Sequence, residues 1–169
     1  MRIIRQLVNI RHITGILGLS FILTMPVALA ADIEAGVAAY NAGNYDRAVQ
    51  EFRPLAEAGV AEAQFGLGIL YTEGTGVPRD QKQAIKWISL AAEQGHALAQ
   101  LSLGVKYAFG EGVRQDYQRA YQWASLSQMK GFEVADELMR TMEAKMSKAD
   151  IARARQMAQA CLDSGYKNC

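Results

Sequence analysis

Residues 61–96 laid over residues 97–132 without a gap agree at 15 of 36 positions. The matches include Leu67/Leu103, Gly68/Gly104, Tyr71/Tyr107, Gly74/Gly110, Gly76/Gly112, Asp80/Asp116, Trp87/Trp123 and Gly95/Gly131. A fixed period of this size belongs to arrays of one supersecondary unit, each copy burying its apolar face against the next. A chain written this way stacks rather than wrapping around one central core.

Within a unit, Ala63, Leu67 and Tyr71 recur every four residues and predict a helix over about 61–72, with Gly68 beside them. A helical glycine costs roughly 1 kcal/mol relative to alanine, so its repetition predicts two backbones pressed together. The segment Gly74-Thr75-Gly76-Val77-Pro78-Arg79 then breaks the chain, since glycine accepts the left-handed cap and proline cannot continue a helix. Asp80 is the expected N-cap of a second helix, with Gln83 completing a capping-box variant. That helix buries Ala84, Trp87, Ile88 and Ala91 and stops at Gly95; Trp87 and Trp123, recurring at one repeat position, read as packing residues.

Two divergent units flank this pair. Upstream, Gly36, Tyr40, Gly43, Tyr45, Ala48 and Phe52 keep the rhythm; pairing Tyr40 with Tyr71 makes the turn five residues shorter. Downstream, residues 133–146 and 148–163 predict a last helix pair, with Ser147 and Asp150 marking the start of its second helix and Met139, Met142, Met146 and Met157 reading as core. The expected fold is all-α, about four helix–turn–helix units at roughly 32–60, 61–96, 97–132 and 133–169, the last a C-terminal cap.

The first thirty residues read as an address. Arg2, Arg5 and Arg11 precede an apolar run from Ile13 to Leu23, and Ala28-Leu29-Ala30 supplies the small-x-small end of a secretory signal, cut between Ala30 and Ala31. An uncleaved anchor over 13–31 is the alternative, weakened by Thr14, Ser20, Thr24 and Pro26. Removing the leader turns a formal charge of +1 into 15 basic against 17 acidic residues, so no basic footprint for nucleic acid or anionic membrane remains. Cys161 and Cys169 are the only thiols; an oxidising compartment predicts their disulfide, with Gly165 in the turn. Two histidines and two cysteines give little from which to build a metal or haem site, and no cofactor or metal is expected.

The pattern Ala-x-Ala-Gln-x-x-Leu-Gly-x-x-Tyr, followed by Gly-x-Gly-Val, Asp, Ala, Trp and a closing Gly, resembles the Sel1-like repeat in both complete units. Arg114 stands where that loop usually has proline, and Gln128-Met129 replaces the usual Ala-Glu pair. The first unit looks closer to a tetratricopeptide repeat. The resemblance implies a short right-handed α-solenoid that scaffolds protein–protein contacts, and exported bacterial members often act in envelope signalling, assembly or host contact. The expectation is therefore a non-enzymatic periplasmic or secreted interaction module binding another envelope or secreted protein. Two alternatives are carried beside it: a β-lactamase-like hydrolase, as linked to Cys-rich relatives that carry a disulfide in each repeat, and a structural part of an envelope assembly.

Positions shared between units serve architecture, so residues that differ on the first helix of each pair are the candidates for recognition. These are Glu62, Phe65, Ile69 and Thr72 in one unit and Leu98, Leu101, Val105, Ala108 and Phe109 in the next, spaced by threes and fours. Phe65, Ile69, Leu98, Leu101, Val105 and Phe109 form the expected partner-binding groove, with packing between neighbouring helices as the competing role. Glu137, one period after Leu101, predicts that the groove turns polar toward the C-terminus. No catalytic residue is expected: His96 has no nucleophile or orienting group at a recognisable spacing, and the glycine loops lack the Lys-Ser/Thr ending of a phosphate cradle.

Overall fold

A computed structural model describes residues 27–167 and 169, with side chains from residue 33 onward. Among these, eight helices follow one another: α1 (Val27–Asn41), α2 (Tyr45–Glu57), α3 (Ala61–Glu73), α4 (Gln81–Ala92), α5 (Ala97–Phe109), α6 (Tyr117–Gln128), α7 (Val134–Glu143) and α8 (Lys148–Asp163). The first six pair as three hairpins, α1–α2, α3–α4 and α5–α6, each packing on the next in an all-α repeat solenoid. In contrast, α7 and α8 both pack on α6 rather than on each other, unlike the last helix pair expected from the sequence. No helix among the described residues is long and apolar enough to cross a membrane. Residues 1–26 of the expected leader lie outside the described residues, and the expected cut after Ala30 falls inside α1. A chain beginning at Ala31 keeps Ile33, Val37 and Tyr40 on that helix.

Each hairpin closes where a glycine meets its partner helix. A Cβ on Gly68 would lie 2.6 Å from Ile88 Cγ1 and 3.3 Å from the Ala84 carbonyl oxygen; one on Gly104 would lie 3.1 Å from the Ala120 oxygen and 3.3 Å from the Ala124 nitrogen. In the first hairpin a Cβ on Gly36 would meet the Phe52 ring. The Gly-x-Gly loops turn through left-handed backbone, with Gly74 and Gly110 capping α3 and α5 at φ 76° and 73°. The Asp80 and Asp116 carboxylates then accept N–H bonds at the starts of α4 and α6. Only half of the anticipated capping box forms, because the Asp80 N–H donates to the Tyr71 carbonyl (3.1 Å) across the loop rather than to Gln83.

That loop bond also fixes the register of the first unit. Asn44 N–H donates to the Ala39 carbonyl (2.9 Å) just as Asp80 donates to Tyr71 and Asp116 to Tyr107. Ala39, not Tyr40, is thus the counterpart of Tyr71, and Gly36 that of Gly68. The turn is four residues shorter, one fewer than the tyrosine alignment predicts.

Successive hairpins are joined by buried glutamines. Gln64 Nε2 donates to the Ala56 carbonyl and Gln100 Nε2 to the Ala92 carbonyl, each at 3.2 Å, adding a second donor from the next hairpin to oxygens that also accept the Gly59 and Gly95 N–H at the end of the preceding helix. The core runs through three adjoining clusters, with Trp87 in the first and Trp123 in the second. Met142 is buried in the third, with Met139 and Met146 packed against it. Ser147 caps α8 as expected, its Oγ accepting from Asp150 N–H at 3.1 Å. Cys161 and Cys169 are joined as a disulfide, Cα–Cα 4.9 Å, and the loop they close lays Tyr166 against Gly95.

Gly68→Ala replaces a poor helix former by the best one, yet the new methyl meets Ile88 and the α4 backbone. The variant is expected to lose about 1–3 kcal/mol in denaturant unfolding. A gain in stability would contradict the close crossing of α3 and α4.

Candidate functional site

The first helices of the first three units share one face, and a cavity of about 340 Å³ opens on it between α1, α3 and the start of α5. Ile33 and Val37 on α1, one turn apart, face Phe65 and Ile69 on α3, which have the same spacing. Phe52 from α2 contributes between them. Its ring is pinched by two glycines, since a Cβ on Gly66 would lie 2.7 Å from it on one side and a Cβ on Gly36 equally close on the other. The missing side chain at Gly66 gives the ring its place and leaves the cavity open above it.

Polar groups mark the two ends. At one, the Tyr40 hydroxyl donates to the Glu73 carboxylate, 3.0 Å from each oxygen, tying α1 to α3. Burial, reinforced by that carboxylate, pushes the phenol pKa up and keeps it a donor. At the other, His96 stacks on Phe65 with ring centroids 4.9 Å apart, while its Nδ1 accepts the Ala99 N–H (3.2 Å) and caps α5. Burial pulls the imidazole below its usual pKa of 6.5, against the opposing pull of Glu62. The ring is therefore neutral at pH 7, and Glu62 is the one charged side chain lining the cavity.

Three of the six groove residues expected from the sequence, Phe65, Ile69 and Leu98, line this cavity. Leu101 and Val105 are half-buried and Phe109 is 63% exposed; they continue along α5 without lining it. Ala108 turns inward and packs in the third core cluster, off the stripe its spacing suggested. Thr72 is half-buried, its hydroxyl bonded back to the Gly68 carbonyl. Glu137 is exposed on α7. Sequence reasoning missed Ile33, Val37, Tyr40, Phe52 and His96 as lining residues. The signal that finds the first two is the register set by Gly36 and Gly68, which places Ile33 and Val37 opposite Phe65 and Ile69.

A wider depression of about 760 Å³ lies between the Gly110–Gln115 loop and α8, and its polar groups chiefly satisfy one another. Arg119 binds the Tyr107 hydroxyl and Asp116, Asp150 binds Ser147 and Gln118, and Lys145 lies over the Tyr117 ring. The smaller cavity has no such internal partners to occupy its apolar walls.

Helical hairpins repeating every 36 residues, closed by left-handed glycines and joined through buried glutamines, define an α-solenoid of short repeats. The family model of the Sel1 repeat matches residues 61–96 and 97–131. A Sel1 repeat protein from Oxalobacter formigenes is similar at 32% identity and a TM-score of 0.60, over 67% of this chain and 88% of its own. A protective antigen of uropathogenic Escherichia coli displaying an SLR fold is similar at 29% identity and a TM-score of 0.76, over 82% of this chain; the chain spans only 31% of that longer protein. No curated protein matches at a significant level. The chain belongs to the Sel1 repeat family, whose members generally mediate protein–protein interaction.

The His96 geometry has a pH consequence. Unfolded, the imidazole takes up a proton as pH falls through about 6.5; folded, it does so only at lower pH, so its stabilising contribution is complete above about pH 6.5 and is lost as pH falls below it. Asparagine keeps an acceptor for the Ala99 N–H but does not titrate. His96→Asn is therefore expected to lose less Tm than the parent between about pH 7 and pH 5. Parallel Tm curves would contradict the buried neutral imidazole.

Proposed function

We propose that the protein is a non-enzymatic interaction module of the cell envelope that docks a segment of another envelope protein on its first-helix face. The observation that carries this is the apolar cavity between α1 and α3, preformed by elements that already pack on each other, so little ordering entropy is spent on binding. Val37 and Leu98, 46% and 42% exposed, are large apolar side chains left to solvent at its edge. Export is supported by the basic, apolar, small-x-small leader and by the Cys161–Cys169 disulfide, which suits an oxidising compartment. A relative that is a protective antigen fits an exported chain. A non-catalytic role is supported by His96, the one histidine beyond the leader, whose Nδ1 is used in capping α5 and whose ring is used in stacking on Phe65.

Expressed in its native host with its leader, the protein is expected to begin at Ala31 by intact mass. A photocrosslinker at Val37 is expected to trap an envelope protein, and one at Lys86, exposed on α4, is not. Val37→Glu, a change at an exposed site, is expected to abolish capture with unchanged Tm. Capture that survives Val37→Glu, or crosslinks as strong from Lys86 as from Val37, would overturn the docking reading; retention of the leader in the cytoplasm would overturn export.

A further inference from the structure

In the first three hairpins lysine and arginine are sorted by helix. The helices α1 and α3 contain no lysine or arginine, and α5 contains one, Lys106, which is 4% exposed and lies 3.8 Å from Glu111. The second helices carry the cations instead: Arg47 and Arg53 on α2, Lys82 and Lys86 on α4, Arg119 on α6. On the first-helix face the acids stand free of bases. Glu62 is exposed at the α5 end of the cavity and makes no hydrogen bond or ion pair among the described residues. Glu73, at the far end of α3, accepts only neutral hydroxyls, from Tyr40 and Thr75. An apolar trough is thus bracketed by a carboxylate at each end of α3, with no cation lining it.

That arrangement selects its occupant. An acidic or purely neutral segment would leave the Glu62 carboxylate desolvated and unpaired and bring no counter-charge to Glu73, whereas a basic residue at either end of an apolar segment neutralises them and is drawn in over a Debye length. We infer that the occupant of this cavity is a cationic amphipathic segment of a partner polypeptide: bulky apolar side chains seated among Val37, Phe52, Phe65, Ile69 and Leu98, flanked by lysine or arginine reaching Glu62 and Glu73. This rests on the docking reading above and adds the chemistry of the partner. The closing pair of aromatic walls, Phe65 and Tyr40, also suits the aliphatic stems of those basic residues.

The test uses the exported, disulfide-bonded protein and three short leucine-rich helical peptides identical except for lysine, glutamine or glutamate at both flanks, titrated by fluorescence anisotropy. The lysine peptide is expected to bind about tenfold tighter than the glutamate peptide at low salt, with the ratio shrinking toward one near 1 M salt. Glu62→Gln is expected to narrow that preference about threefold, and Glu62→Lys to bring the ratio to about one. Val37→Glu is expected to weaken all three peptides while far-ultraviolet circular dichroism stays unchanged. Equal affinity for the three peptides, still lost in Val37→Glu, would overturn the cationic partner and leave the apolar docking site standing. Binding unaffected by Val37→Glu, or absent for every peptide, would overturn both. Binding to phosphatidylglycerol vesicles in preference to the lysine peptide would also overturn the inference, by placing an anionic surface where a cationic segment is expected.

Discussion

The structure depends on backbones that touch where a side chain would ordinarily stand. At Gly68 and Gly104 the first helix of a hairpin lies directly on the second, against Ala84 and Ile88 in one unit and Ala120 and Ala124 in the next. The counterpart residue on the second helix shrinks along the chain, from Phe52 to Ile88 to Ala124. The largest of the three needs more than one glycine. Phe52 is held between Gly36 of its own hairpin and Gly66 of the following one, so the bulk that closes the first core also reaches the surface of the second. The cavity sits at that point, and the same packing rule that builds the repeat also shapes the opening on its face.

Much of this could be read from the chain. The spacing of Ala63, Leu67 and Tyr71 gives α3 to within a residue, Ser147 and Asp150 place the start of α8, and repeated Gly68 and Gly104 announce close crossing before any coordinate is known. Three features were harder to read. The register of the first unit hangs on a backbone hydrogen bond, Asn44 N–H to the Ala39 carbonyl, and its one mark in residue identity, Gly36 against Gly68, competes with the tyrosine pairing that shifts α1 by one residue and hides Ile33 and Val37. The role of His96 arises from contact with Phe65, thirty-one positions away, which linker composition does not encode. Lys106 is a third case: it stands where the previous unit has Leu70, and only the fold shows that it is buried beside Glu111 rather than displayed.

Keeping lysine and arginine off the first helices of the first three hairpins, apart from the buried Lys106, gives two faces with different chemistry on one scaffold. The shared positions hold the hairpins together, through glycine contacts, aspartate caps and the glutamine links at Ala56 and Ala92. The unshared positions are free to vary, and in α1, α3 and the start of α5 they vary toward large apolar residues without cations. By α7 the stripe has become polar at Glu137 and Thr141, so the proposed recognition surface is confined to the three hairpins, and α7 and α8 form a cap on α6, tied down by Tyr121, Glu143 and Arg155.

The central claim is that binding takes place on the first-helix face. Methyl-resolved nuclear magnetic resonance of the protein with a lysine-flanked apolar peptide tests it most directly, because exposed methyl groups stand on both faces. The account predicts shifts at Val37, Ile69 and Leu98, with Leu90 on α4 and Leu162 on α8, also exposed, unmoved. Shifts at Leu90 and Leu162 with the cavity methyls unchanged would contradict it.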